Sequence, residues 1–139
     1  MNPLAPNTSF GTAAELLVQL RLWQFGVQAS APLKDSGNDL IAVFGETFRA
    51  IQVKATASDQ IQVSKEDIFR ADRERKLFHV LALVFTGAIP ADGSLWNLGE
   101  VGIYLLPPPD APRTYNRASP ELAERALCGD LVRQIWNIP

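Results

Sequence analysis

Cysteine and histidine are almost missing from this 139-residue chain: each occurs once, as Cys128 and His79. A lone cysteine excludes an internal disulfide. A lone histidine gives little material for a His-based nuclease or a His-rich metal cluster. His79 begins an apolar run and is expected in the core or at a strand end, and Cys128 is expected to pack within a helix. Long apolar runs are missing as well. The longest, FHVLALVF (78–85), is the length of a buried strand, far short of the roughly 20 residues that span a bilayer. The opening MNPLAPNTSFGT lacks the basic start and apolar run of a secretory signal, so a cytoplasmic protein with no membrane partner is expected. Neither a Gly-rich phosphate loop nor a dinucleotide fingerprint occurs. Strong charge of one sign is also absent. A net charge of −2 and a pI near 5.3 exclude gripping nucleic acid by bulk charge, but not a local basic groove.

The chain is 47% hydrophobic and 20% charged, in the range of one globular domain with one core, so residues 1–139 are expected to form a single domain. TAAELLVQLRLWQFG (12–26) spaces Ala13, Leu16, Leu17, Leu20 and Trp23 as an amphipathic helix capped by Gly26. Strands are expected at 27–33, 39–44, 47–55, 78–85 and 101–106. Ser64 with Asp67 three residues on marks the start of a second helix over about 65–76. That segment, KEDIFRADRERK, carries five bases against four acids. It reads either as a solvated face with i,i+4 ion pairs or as a local basic patch through Lys65, Arg70 and Arg73. The stretch 107–120, rich in proline, is expected to be irregular. A last helix is expected over 121–136, with Gly129 as a potential break. Trp23, Trp96 and Trp136 are expected to be core or interface anchors rather than base-stacking platforms. Helices alternating with strands give a layered α/β architecture.

The chemistry concentrates in GNDLIAVFGETFRAIQVK (37–54). Gly45-Glu46 suits a two-residue type II′ hairpin turn, which sets Phe44 against Thr47 and Asp39 against Gln52. Side chains alternate faces along a strand, so Lys54 shares the face of Gln52, and an acid, an amide and an amine converge at one strand end. A carboxylate and an amide carbonyl are hard oxygen ligands of the kind Mg²⁺ or Mn²⁺ takes, and an ammonium beside them can stabilise charge on a phosphoryl transition state. The plainer alternative is a Lys54–Asp39 ion pair at a strand end, with Gln52 hydrogen-bonded nearby.

In order and spacing these residues resemble the PD-(D/E)XK, or restriction-endonuclease-like, nuclease superfamily, in particular its small Holliday-junction-resolvase-like bacterial domains. The resemblance covers about residues 11–85. GTAAELLVQLRLWQFG is similar to the opening helix with its acid, Glu15; GNDLIAV to the strand bearing the metal-binding acid, Asp39; and IQVK to the (D/E)XK half, with Gln52 and Lys54. IQVSKEDIFRA and FHVLALVF are similar to the strand, crossover helix and strand that complete the core. The resemblance implies a three-layer fold with a central mixed sheet flanked by helices, and a Mg²⁺- or Mn²⁺-dependent endonuclease acting on DNA more than RNA. In it Asp39, Gln52 and Glu15 hold the metal and Lys54 positions water or stabilises charge. Lys65, Arg70 and Arg73 would contact nucleic acid, and a homodimer is a further expectation, since two strands need two sites. Two departures stand out: Asn38 replaces the motif's proline, and Gln52 stands where most active members have an acid. Glu15 also has a local alternative, since Thr12-x-x-Glu15 matches a capping box; a helix starting nearer Thr8 or Ser9 would free it. The rival function is a nuclease-fold module that binds nucleic acid or a protein partner without cutting.

Overall fold

The computed structural model describes residues 6–32, 39–69, 76–90 and 97–139, with side chains from Phe10 onward. Helix α1 (Pro6–Gln24) is followed by strands β1 (Gln28–Ser30), β2 (Leu40–Phe44), β3 (Thr47–Thr56) and β4 (Gln60–Val63), and then by a single turn, α2 (Lys65–Ile68). Strands β5 (Val80–Phe85), β6 (Gly102–Leu106) and β7 (Arg113–Asn116) precede helices α3 (Pro120–Ala123) and α4 (Gly129–Ile135).

Five strands form a mixed sheet in the order β1-β2-β3-β5-β6, and β4 and β7 pair in a separate two-stranded ribbon. Only the β3–β5 contact is parallel. The hairpin register is that expected from the turn: Phe44 pairs with Thr47, Val43 with Phe48, and Leu40 with Ile51. Gly45 has a φ of 60°, the left-handed value that the first position of a type II′ turn requires and glycine supplies at no steric cost.

Alternation then sorts the sheet into two cores. Ile51 and Val53 of β3 and Val80, Ala82 and Val84 of β5 pack with Ala14, Val18 and Leu22 of α1 and Leu131, Val132 and Trp136 near α4. Leu81, Leu83 and Phe85 of β5 face the other way, against Ile61 and Val63 of β4, Tyr115 of β7, Ile68 and Leu122. β5 is buried at every residue, as its unbroken apolar run requires of a strand covered on both faces.

Helix α1 packs differently from its expected face. Its buried stripe is Ala14, Val18 and Leu22, while Leu16, Leu20 and Trp23 are exposed. The segment is apolar on most of its circumference, so periodicity alone did not single out the buried side. The helix closes as expected: Val27 N–H bonds to Leu22 O and Gly26 N–H to Trp23 O, both at 3.0 Å, with Gly26 at φ 84°. This is a Schellman cap, sealed by burial of Leu22 and Val27.

The expected 65–76 helix ends after one turn. Phe69 is extended and bridges to Lys76, and Leu77 N–H bonds to Ile68 O at 2.8 Å. Ile68 and Phe78, on either side of that bridge, both reach the second core. The expected 121–136 helix is likewise split: Leu105 N–H bonds to Arg125 O and Leu127 N–H to Ile103 O, both at 2.9 Å. Extended backbone there covers the open edge of β6, an edge that would otherwise pair with other chains. Gly129 starts the final helix, and Cys128 precedes it as an exposed N-cap. Trp136 is buried, its indole N–H donating to Ala42 O at 3.2 Å. Trp96 lies outside the described residues.

Candidate active site

Asp39 sits one residue before β2, where its N–H bonds to Ile51 O at 3.1 Å. Continued by one pair, the β2–β3 ladder sets it opposite Gln52. Its Oδ2 accepts two hydrogen bonds: from the Gln52 Nε2 amide at 2.9 Å and from the Val53 backbone N–H at 2.8 Å. The Gln52 amide therefore turns its nitrogen to the acid. Its Oε1 accepts no hydrogen bond among the described residues.

Glu15 completes the group from the opposite layer. α1 begins at Pro6, a first-turn position that suits proline, so Thr12 and Glu15 are interior and the capping-box alternative falls away. Glu15 stands three residues before Val18 and seven before Leu22, hence on the stripe that faces the sheet. Burial and, after it, the Asp39 carboxylate, through charge and a side-chain hydrogen bond, push the Glu15 carboxyl above its ordinary value. Two acids from α1 and the β2 hairpin thus meet beside an amide.

Lys54 takes a partner that the hairpin does not supply. It shares the Gln52 face of β3, but its ammonium donates to Asp67 Oδ1 at 3.0 Å, in a pair whose side chains are only 29% and 24% exposed. Asp67 Oδ2 meanwhile accepts from the Ser64 N–H at 2.8 Å and the Ser64 hydroxyl at 2.9 Å. Burial alone would raise the Asp67 carboxyl; the Ser64 amide, the Lys54 ammonium and the Ser64 hydroxyl together hold it below its ordinary value. The plain Lys54–Asp39 ion pair is not what forms. The sequence marks Asp67 as the acid three residues after the Ser64 cap of α2; that it also binds Lys54 depended on where α2 docks, which no local pattern carries.

No family model matches the chain, and no curated protein does. Solved structures do. The Holliday junction resolvase Hjc of the archaeal hyperthermophile Archaeoglobus fulgidus superposes with a TM-score of 0.56 at 16% identity, over 89% of this chain and 96% of its own. A bacterial homing endonuclease superposes with a TM-score of 0.58 at 14% identity, over 94% and 95%. The chain has the restriction-endonuclease-like fold.

In this restriction-endonuclease-like fold the hairpin, β3 and α1 hold Asp39, Gln52 and Glu15 together, and Lys54 stands two residues further along β3. Among the described residues no three Asp, Glu, His or Cys side chains gather as a metal site; the third oxygen donor here is a neutral amide. The donor set still fits a hard divalent cation. A cation beside Asp39 would relieve the charge that, after burial, pushes the Glu15 carboxyl up, and Gln52 Oε1 is available as a further ligand. Lys65 is exposed, with no ion pair among the described residues. Arg70 and Arg73 lie outside the described residues. His79 is exposed at the start of β5, where its Nδ1 accepts the Ala50 N–H at 2.9 Å. Among the described residues no helix is long and apolar enough to cross a membrane.

The Glu15–Asp39 contact carries a stability consequence. Glu15 has a folded pKa above its unfolded value, so the folded state holds the extra proton and stability falls as pH rises through that window. Without added metal, Glu15→Gln is expected to raise the melting temperature at pH 7 and to flatten its pH dependence above pH 4.5. Thermal melts from pH 4 to 8 check this; an unchanged pH profile would contradict the raised Glu15 carboxyl beside Asp39.

Proposed function

We propose that this chain is a metal-dependent endonuclease that hydrolyses phosphodiester bonds, in DNA rather than RNA. The observation that carries the proposal is the meeting of the Glu15 and Asp39 carboxylates beside the Gln52 amide, with Lys54 on the same strand. The two superposed nucleases support the chemistry.

In this reading Asp39 and Glu15 hold Mg²⁺ or Mn²⁺ through carboxylate oxygens, and Gln52 contributes Oε1. The bound cation supplies Lewis-acid polarisation of the phosphate and a lowered pKa for attacking water. The Val53 N–H fixes Asp39 so that its carboxylate needs no reorganisation when substrate arrives. Lys54 faces the scissile phosphate and stabilises the charge that develops on its oxygens, while Asp67 holds the ammonium at a fixed place. Glu15, whose carboxyl is pushed up by burial and by Asp39, would be favoured as the carboxylate by a neighbouring cation. Cutting both strands of a duplex requires two such sites, hence a homodimer.

Gln52 separates this reading from that of a binding module which has lost its chemistry. Gln52→Glu puts a third acid at the site. It is expected to tighten Mn²⁺ binding by about tenfold or more, the size of one added charge interaction in a partly buried setting, and to lower the metal-free melting temperature. Calorimetric titration with Mn²⁺ and supercoiled-plasmid nicking, on the parent and on Gln52→Glu, test it. Binding and nicking by the parent support the enzyme. Should the parent do neither and Gln52→Glu restore both, the protein is a non-cutting module.

A further inference from the structure

The water-facing side of α1 is apolar where such a side is normally charged. From Thr12 to Gln24 the exposed residues are Thr12, Leu16, Leu20, Arg21, Trp23 and Gln24, with one charge among them, whereas a surface helix turns charged and polar residues outward. Leu16, Leu20 and Trp23, at i, i+4 and i+7, form one ridge, and each keeps more than half of its surface in water. The ridge is anchored. The Trp23 indole N–H donates to Ala29 O at 3.2 Å, which holds the ring in place.

Beside the ridge runs a groove of about 590 Å³ between α1 and the chain around β6. Leu17 and Leu20 line it from the helix, and Leu98, Ile103 and Leu127 from the other side. Leu98 is 53% exposed. The two rims carry opposite charges. Arg21 lines the groove on the helix side, and Glu100 stands on the other between the lining residues Gly99 and Val101. Both are exposed, and neither forms an ion pair among the described residues. Arg21 donates to Gln24 Oε1 and lies over the Phe25 ring.

We infer that this face binds a second copy of the chain about a two-fold axis, the ridge of each copy seated in the groove of the other. A two-fold contact must be self-complementary. A knob and a hole side by side, with a cation at one rim and an acid at the other, meet that condition twice, since Arg21 of each copy then faces Glu100 of the other. The area is sufficient. Leu16, Leu20, Trp23 and Leu98 leave on the order of 400 Å² of apolar surface in water, the size of patches that serve as interaction sites. With a polar rim of similar extent this reaches the roughly 800 Å² per partner of a stable interface, and a Trp fixed among leucines is the anchor such an interface needs. A net charge of −2 opposes the pairing only weakly. The inference goes beyond the nuclease reading, which asks for two copies without saying where they meet, and does not rest on it: a non-cutting module with this face pairs equally.

Gel filtration with light scattering and sedimentation equilibrium on the full chain, from about 1 to 200 µM, test the interface. The parent is expected to be a dimer with a Kd on the order of 1–10 µM. Leu20→Glu, which puts a charge into the contact twice, should weaken it about 100-fold at the parent's melting temperature. Leu98→Glu, across the groove, should do the same and covers the case in which the first variant misfolds. Arg21→Glu and Glu100→Arg should each weaken the dimer about tenfold, and their combination should recover the parent's affinity. A parent that stays monomeric throughout, or that grows into open chains, overturns the inference. So do folded Leu20→Glu and Leu98→Glu that dimerise like the parent, or a charge-swapped combination no tighter than either single variant. Plasmid nicking on the same preparations keeps the two readings apart. A monomer that nicks overturns the interface alone, and a dimer that nicks nothing supports the interface and counts against the nuclease.

Discussion

Asp39→Asn is expected to remove divalent-cation binding and to lower nicking by about a thousandfold, the several kcal/mol that a metal-held phosphate contributes to the transition state. The fold should not suffer with it. An asparagine carbonyl can still accept the Val53 N–H that Asp39 Oδ2 accepts at 2.8 Å, and the variant no longer sets a negative charge beside Glu15. Its metal-free melting temperature should therefore equal or exceed that of the parent. Calorimetry with Mn²⁺, plasmid nicking and a thermal melt on the same preparation separate the two effects. Loss of activity accompanied by a lower melting temperature would instead make Asp39 a structural residue.

Lys54→Ala should cost about 10²–10³ in turnover, the range for removing one preorganised charge-stabilising donor, and leave Mn²⁺ affinity nearly unchanged, because Lys54 bonds to Asp67 and not to the Glu15–Asp39 pair. The stability effect is small and has a definite sign. Asp67 has a depressed folded pKa, with Lys54 among its causes, so its contribution is fully present above the ordinary carboxylate value and is lost as pH falls through the folded value. Removing Lys54 takes away part of that, about 1 kcal/mol or less at pH 7 for a partly exposed pair. Single-turnover nicking together with a metal titration checks the split; an equal loss in both would place Lys54 among the metal-holding groups.

How much of this was legible in the sequence differs from element to element. The hairpin register followed from Gly45 alone, because a two-residue turn fixes every pair behind it, and with the register came the Asp39–Gln52 contact at 2.9 Å. The buried strand β5 was legible from its unbroken apolar run. β7 was not: four residues with one buried side chain, Tyr115, inside a proline-rich stretch carry no periodicity, and only pairing with β4 makes them a strand. The early end of α2 was hidden for a different reason. Its mixed charges suit a helix, but Ile68 and Phe78 must both reach one core, and that demand is tertiary. Glu15 was legible as a candidate, yet its partner depended on which face of α1 is buried. An apolar circumference leaves that to the sheet.

The most direct measurement is the position of Mn²⁺ in a crystal of the parent chain, located by its anomalous scattering. The account predicts an ion about 2.0–2.2 Å from carboxylate oxygens of both Asp39 and Glu15, near the Mg²⁺ distance, with the Gln52 amide presenting Oε1. An ion bound elsewhere, or none at saturating Mn²⁺ with Gln52 Nε2 still donating to Asp39, would contradict it.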